Sequence, residues 1–280
     1  MIGTTAVVLD SASYLPQSVI ERFGAIVVPL TSVVDGVAYR EFVDLGADEF
    51  YTRLAAGAKV STSQPPPGRF LEAYAQAKAA GAERIVSIHI GSGLSGTLNS
   101  ARIAAEMAEI PVHLIDTGQA SFIEGLCAWE AMEALEAGAS IEDVSALVER
   151  TAAAAGNVFI VRGLELLRQG GRMTGAPEQA AVPILALIDG AIRPIGSAQS
   201  VDEALDGIVA HVRAAIAASP SAAFRIGISN GAADDLAGLL EARIRGLAPT
   251  AEVMQYGIGP VIGAHTGPGC TGAVFLARPV

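Results

Sequence analysis

Short apolar runs alternate with longer amphipathic runs through the first half of the chain. Apolar runs of strand length occur at 5–9, 26–30, 84–90 and 112–115. Apolar residues at helical spacing predict helices at 17–22, 48–56, 67–80, 95–109 and 122–137. Strands and helices that alternate in this way indicate βαβ units, and we therefore expect a parallel sheet in this half.

The second half carries a different pattern. Asp189-Gly190 separates two apolar runs, as Asp35-Gly36 does near the start of the chain, and both pairs predict β-hairpins. A short helix is expected to end at Gly170-Gly171. Helices and hairpins mixed in this way are typical of an α+β domain. We predict a two-domain α/β protein, with an N-terminal parallel-sheet domain at 1–155 and a C-terminal α+β domain at 156–280.

Composition limits the classes of function. Hydrophobic residues make up 51% of the 280 residues, which is enough for a sizeable core. The net charge of −11 opposes binding to nucleic acid, because such binding needs lysine and arginine to displace counterions. The two cysteines, Cys127 and Cys270, support neither a disulfide framework nor a thiolate metal site, and no other residues have metal-ligand spacing. Without a bilayer-length apolar stretch or a basic N-terminal leader, the chain is expected to be cytoplasmic.

The most informative segment is the loop 90–97, because it joins a predicted strand to a predicted helix. Unpaired N–H groups and partial positive charge at a helix N-terminus attract an anion, and glycines let the anion approach the backbone. Gly91, Gly93 and Gly96 fit the dinucleotide pattern G-x-G-x-x-G, and Asp116 follows at the spacing of a ribose-binding acid. This is one of three open interpretations of the loop.

The second interpretation is a carboxylate site that uses the same N–H groups and the hydroxyls of Ser92, Ser95 and Thr97. The third is that Ser95 or Thr97 simply caps the helix. The segment around Ser95 lacks the second glycine of a serine-hydrolase elbow, and the chain contains no phosphate-binding loop of the Walker type.

Other polar segments offer further candidates. Ser61-Thr62-Ser63-Gln64 presents hydroxyls and an amide directly before a stiff run of prolines. His265 lies in a glycine-rich segment and is the histidine best suited to contact an anion. Asp10-Ser11 follows the first strand, at the edge where open parallel sheets place ligands. Taken singly, each segment is also consistent with a capped or solvated loop.

In this order, the segments resemble the DegV family from end to end, a family that contains the fatty-acid-binding subunits of bacterial fatty acid kinase. The residues that carry the resemblance are Leu9-Asp10-Ser11, Val28-Pro29-Leu30, Ser61-Thr62-Ser63-Gln64-Pro65, Gly93-Leu94-Ser95-Gly96-Thr97, Gly170-Gly171-Arg172, Pro183-Ile184-Leu185 with Asp189-Gly190, and Gly263-Ala264-His265-Thr266-Gly267-Pro268-Gly269. This chain has Gly91-Ser92 where many relatives have consecutive serines, and Ala12-Ser13 where Thr-Ala is more usual. Both departures bear on the choice of lipid.

The resemblance implies a long-chain fatty acid bound between two domains, with no other cofactor. Its carboxylate would be held by Thr62, Ser95 and His265, assisted by backbone amides of the turn that includes Gly96 and Thr97. The protein would be a lipid carrier and not itself an enzyme. It would present the carboxylate to a separate ATP-dependent kinase that makes acyl phosphate for phospholipid synthesis.

Partners and alternatives follow from the same resemblance. Arg168 and Arg172 are candidates for the kinase-docking surface, although an ordinary solvated helix end explains them equally well. The resemblance also allows transient contact of the protein with a membrane. The alternative function is an NAD-dependent oxidoreductase that uses the glycine loop and Asp116, but it leaves Thr62 and His265 unexplained. A third hypothesis is a lipid sensor that has no kinase partner.

Overall fold

The computed structural model describes residues 1–173 and 182–278, which form two compact units. The first unit consists of Met1–Asp44 and Thr62–Ala153, and the second of Leu45–Ser61 and the described part of Ala154–Val280. From Ala154 onward the described residues belong to the second unit. An earlier segment, 45–61, groups with the later residues and not with its neighbours in sequence.

The described residues contain the following elements. The strands are β1 (Thr5–Asp10), β2 (Ile26–Val28), β3 (Thr31–Val34), β4 (Val37–Arg40), β5 (Val60–Ser63), β6 (Arg84–His89), β7 (Val112–Asp116), β8 (Gly156–Ile160), β9 (Val182–Ile188), β10 (Ala191–Ala198), β11 (Ala223–Gly231), β12 (Glu252–Gly257) and β13 (Cys270–Arg278). The helices are α1 (Gln17–Phe23), α2 (Ala47–Ala55), α3 (Pro67–Ala79), α4 (Thr97–Ala105), α5 (Phe122–Glu136), α6 (Ile141–Ala154), α7 (Glu165–Gln169), α8 (Val201–Ala218), α9 (Asp234–Leu247) and α10 (Pro260–Thr266). A short 3₁₀ turn, Ser11–Ser13, follows β1.

The first unit is built on a parallel sheet of order β2-β1-β6-β7, as the sequence predicted. Every residue of β1 is buried, which is expected for a central strand covered on both faces. Phe70 and Tyr74 of α3 pack with Ile85 on one side of this sheet. The sheet therefore brings the carboxyl ends of β1, β6 and β7 to one edge, where the candidate loops begin.

Local sequence signals explain where several elements of this unit begin and turn. Pro67 stands at the first position of α3, where a missing backbone N–H costs nothing. Asp35 and Gly36 have φ of 50° and 82° and close the antiparallel β3–β4 hairpin, which confirms the prediction. The helix predicted to reach 109 ends at Ala105, because the next backbone bonds tighten to three-residue spacing, as from Met107 N to Ala104 O.

The second unit contains a mixed sheet of order β10-β9-β8-β13-β11-β12. The predicted hairpin at Asp189-Gly190 is confirmed, since β9 and β10 pair antiparallel with Ile188 opposite Ala191. Strands β11 and β12 run parallel, whereas β13 is antiparallel to β11. Helices α8 and α9 contribute Leu205, Ile208, Leu240 and Ile244 to the core of this unit. The two-domain α/β class, with a mixed sheet in the second domain, is therefore confirmed.

Candidate functional site

A compact turn follows the carboxyl end of β6 and leads into α4. The N–H of Gly91 donates to the carbonyl of Gln119 at 2.7 Å, which ties the start of the turn to the segment after β7. The N–H groups of Leu94 and Ser95 both donate to the carbonyl of Gly91, at 2.9 and 3.1 Å. The strand, glycine loop and helix predicted from the sequence are confirmed, and the loop is closed on itself by backbone bonds.

The helix end of this turn carries donors suited to an anion. Ser95 Oγ and Thr97 Oγ1 share a hydrogen bond of 2.8 Å, and Thr97 N donates to Ser95 Oγ at 3.3 Å. Thr97 is buried, whereas Ser95 is half-buried. In the part of the chain that the structure describes, the N–H groups of Gly93 and Gly96 donate to no acceptor. A hydroxyl and two backbone amides are therefore available at one helix N-terminus, where the helix dipole also favours negative charge.

Gln64 lies directly against Gly96. The φ of Gly96 is −74°, which any residue can adopt, so the backbone conformation does not require glycine here. A Cβ at position 96 would overlap the Gln64 carboxamide, with Nε2 at 3.0 Å. The contact places the segment that contains Thr62, a half-buried residue of β5, beside the turn. Sequence reasoning noted the amide of Gln64 but did not include it among the site residues.

Asp116 is engaged within the loop. Its carboxylate accepts hydrogen bonds from Ser92 N at 3.1 Å, from Ser92 Oγ at 2.5 Å and from Gly118 N at 2.9 Å. A Cβ at Gly91 would come within 2.6 Å of the Gly118 carbonyl carbon. Close packing against backbone therefore explains Gly91, and local hydrogen bonds explain Asp116. The oxidoreductase alternative, which needed this acid for a ribose, is not supported.

His265 and Arg172 are neighbours in the second unit. His265 stands in the last turn of α10, and a Cβ at Gly170 would overlap its Nδ1. Burial, and then the positive charge of Arg172, lower the pKa of His265 to about 4. The Arg172 guanidinium also donates to the carbonyl of Gly170. The neighbouring Arg172 thus favours the neutral imidazole, whereas a bound anion would favour the charged one.

The neighbouring helix end agrees with the sequence pattern. Helix α7 ends at Gln169, and Gly171 has a φ of 67°, the left-handed value expected after a helix. Arg168 is exposed at this end, whereas Arg172 is half-buried.

A buried polar network in the first unit was missed. Asp10 and His89 are fully buried and their side chains lie 3.1 Å apart. Glu41 and Glu124 are buried in the same region, and the charges of both Asp10 and Glu41 act on Glu124. Of these residues, only Asp10 is a candidate from the sequence; the acid at position 124, in the otherwise apolar start of α5, is the signal that could have led to the others.

No helix in the ranges 1–173 and 182–278 has the length and apolar character needed to cross a bilayer. Within those ranges, no three His, Cys, Asp or Glu side chains form a group that could hold a metal ion.

Comparison with known proteins identifies the family. The family model of uncharacterised DegV proteins matches residues 4–278. A DegV domain-containing protein of Streptomyces coelicolor is 36% identical over 281 residues, covering 98% of each chain. The structure of a DegV family protein from Thermus thermophilus, described by its fatty acid binding, matches with a TM-score of 0.90 at 32% identity, over 98% of this chain and 99% of that one. DegV of Bacillus subtilis, a fatty acid binding protein, matches with a TM-score of 0.89 at 27% identity over the same shares. The chain therefore belongs to the DegV family.

Proposed function

We propose that this protein binds a long-chain fatty acid and that the turn Ser95–Thr97 receives its carboxylate. The observation that carries the proposal is the pair of backbone N–H groups at Gly93 and Gly96, which have no acceptor among the described residues and flank the Ser95 hydroxyl. Fatty acid binding by the Thermus and Bacillus relatives supports the choice of ligand.

The chemistry of the ligand matches these donors. A carboxylate removed from water is costly to bury unless hydrogen bonds compensate it, and bonds to a charged acceptor are stronger than neutral ones. The acyl chain supplies affinity, because each buried methylene contributes about 0.8 kcal/mol. Some fifteen methylenes would contribute about 12 kcal/mol before the costs of ordering the complex, by the same principle.

Thr62, Ser95 and His265 are the proposed side-chain ligands, and the amides of Gly96 and Thr97 assist them. The contribution of His265 rests on the family resemblance and on its chemistry. Its low pKa, about 4, means that the imidazole is neutral at pH 7 without ligand. A neutral imidazole still donates one hydrogen bond, and a bound carboxylate would raise the pKa again.

We further propose that the protein acts in the cytoplasm as a carrier for a separate ATP-dependent kinase, which would convert the bound carboxylate to acyl phosphate for phospholipid synthesis. Arg168, exposed at the end of α7, suits a docking surface for that kinase. Arg172 is half-buried beside His265, so an effect of Arg172 on the histidine has to be separated from an effect on docking.

The first experiment is mass spectrometry of organic extracts from the natively purified protein, with a denatured sample to measure stoichiometry. Fatty acid close to one equivalent supports the carrier and defines the chain length. A protein that contains no lipid and also fails to bind added palmitate contradicts the proposal. Addition of a fatty acid kinase and ATP then separates the two lipid-binding hypotheses, since a carrier yields acyl phosphate and a sensor without a kinase does not.

A further inference from the structure

Asp10 connects the end of β1 to the start of the candidate turn. Its Oδ1 accepts a hydrogen bond from Ala12 N at 3.0 Å. Its Oδ2 accepts one from Ile90 N at 3.0 Å and a second from His89 Nδ1 at 3.1 Å. Ile90 is the residue that leaves β6 and enters the turn, so one buried carboxylate fixes the point where the turn begins.

Glu124 approaches Asp10 from helix α5. A Cβ at Gly125 would overlap the carbonyl oxygen of Ser13, so the glycine lets the helix lie directly on the 3₁₀ turn that follows Asp10. Glu124 is fully buried, and neither of its carboxyl oxygens has a hydrogen-bond donor within the described part of the chain. An ionised carboxylate in such a place would be very costly, whereas a protonated one can donate to a neighbouring carboxylate.

The charges around Glu124 also favour its protonated form. Burial, the negative charge of Asp10, a hydrogen bond with Asp10 and the charge of Glu41 raise the pKa of Glu124 well above its usual range. Glu41 already accepts bonds from Ser11 Oγ at 2.5 Å and Tyr14 Oη at 3.2 Å. Glu41 acts on Glu124 only through its charge, whereas Asp10 lies within hydrogen-bond reach, so Asp10 is the carboxylate that accepts the proton of Glu124.

On its other side, Asp10 is supported by a chain of buried hydroxyl groups. His89 Nε2 lies 2.6 Å from Ser87 Oγ, which lies 3.0 Å from the hydroxyl of Tyr74. Because Nδ1 of His89 donates to Asp10, a neutral ring accepts at Nε2 from Ser87. The network reaches from α3 through β6 to Asp10 and then to α5, and it meets the backbone of the turn at Ile90.

We propose that Asp10 and Glu124 are positioning residues for the carboxylate-binding turn: neutral Glu124 donates a hydrogen bond to Asp10, and Asp10 holds the Ile90 N–H that sets the start of the turn. The inference rests on the proposed function, because it assumes that the turn binds the carboxylate. Neither residue is proposed to touch the fatty acid.

Three substitutions test the inference. Glu124→Gln keeps the shape and a donor for Asp10, whereas Glu124→Leu removes the donor. Asp10→Asn replaces a carboxylate that accepts three hydrogen bonds by an amide with a single acceptor oxygen. Met132→Ala, which empties space two turns further along α5, is the control for a general loss of stability. Glu124→Leu leaves Asp10 in place, so the test remains decisive if Asp10→Asn fails to fold.

The measurements are amide hydrogen exchange at Ile90, amide chemical shifts of residues 91–96, and the Kd for palmitate. We expect Glu124→Leu and Asp10→Asn to speed exchange at Ile90 about tenfold or more and to weaken palmitate binding roughly 5- to 100-fold, the cost of one lost buried hydrogen bond. Glu124→Gln should stay within about twofold of the wild type by the same reasoning. Met132→Ala should lower stability without a change in Kd.

Two results would overturn the inference. One is unchanged exchange at Ile90 in folded Glu124→Leu protein. The other is a loss of palmitate affinity in Met132→Ala as large as that in Glu124→Leu. A wild-type protein that binds no palmitate refutes the proposed function instead, and the exchange data then still report whether Asp10 and Glu124 hold the turn.

Discussion

Replacing Glu124 by glutamine should change how the stability of the protein depends on pH. In the folded protein the carboxyl of Glu124 has a raised pKa, chiefly because it is buried, while in the unfolded chain it returns to an ordinary value near 4.5. Between these two values, folding takes up one proton. The free energy of unfolding therefore falls as pH rises, and the contribution is complete only below the unfolded-state pKa.

The magnitude follows from the proton count. One proton corresponds to about 1.4 kcal/mol for each pH unit, from near pH 5 upward to the folded-state pKa. Glutamine has the same shape, cannot ionise and keeps an N–H for Asp10. The variant should therefore be more stable than the wild type at and above the folded-state pKa of Glu124, and the difference should shrink by about 1.4 kcal/mol with each unit as pH falls from that pKa toward 5.

The assay is urea unfolding of both proteins at half-unit steps from pH 5 to pH 8. Subtracting the two curves cancels the titrating groups that do not interact with Glu124. Glu142→Gln, at an exposed position at the start of α6, shows the effect of replacing a glutamate as such. Parallel curves for the wild type and Glu124→Gln would refute the reasoning, because Glu124 would then be ionised in both states.

Three further predictions concern the candidate ligands. Because the pKa of His265 is about 4 in the folded protein and 6.5 unfolded, stability should fall by up to about 3 kcal/mol as pH drops from 6.5 to 4; His265→Asn should abolish that loss in urea unfolding. Ser95→Ala and Thr62→Ala should each weaken palmitate binding by about 1–3 kcal/mol in calorimetry while thermal unfolding stays cooperative, and unchanged affinity in both would remove them from the site. Gly96→Ala should cost no more than about 1 kcal/mol, because the carboxamide that the new Cβ would overlap is the end of the exposed, flexible Gln64 side chain and can move aside; a larger loss that Gln64→Ala recovers would show instead that the carboxamide is held in place.

Periodicity and turn chemistry were sufficient to predict the sheets and hairpins. The alternation of strands and helices gave the parallel sheet, and Asp-Gly pairs marked both hairpins, because these signals act over a few residues. The grouping of segment 45–61 with the second unit could not be read in the same way. It depends on which distant residues α2 packs against, and α2 contacts α10, more than two hundred residues away along the chain.

The candidate site shows the same limit at the level of single residues. Spacing placed Asp116 where a ribose-binding acid would stand, but Ser92 uses its carboxylate locally. The glycines predicted close approach of an anion to the backbone. In the structure the side chain of Gln64, 32 positions earlier in the chain, lies against Gly96. Glu124 is an acid in an otherwise apolar stretch of helix, but its neighbour Asp10 is known only once the helix is docked on the 3₁₀ turn.

If the turn binds a carboxylate as proposed, the Asp116 carboxylate held at Ser92 would make the binding depend on the charge of the head group. Asp116 is hydrogen-bonded to Ser92 in the middle of the loop, where its carboxylate would repel an anion. The hydrogen-bond donors lie at the other end of the loop, at Ser95. A carboxylate with one negative charge can use the donors and stay clear of the acid, whereas a phosphorylated head group is larger, carries more charge and would meet Asp116. The same loop would then hold a free fatty acid more firmly than its acyl phosphate, so that phosphorylation itself would promote release of the product.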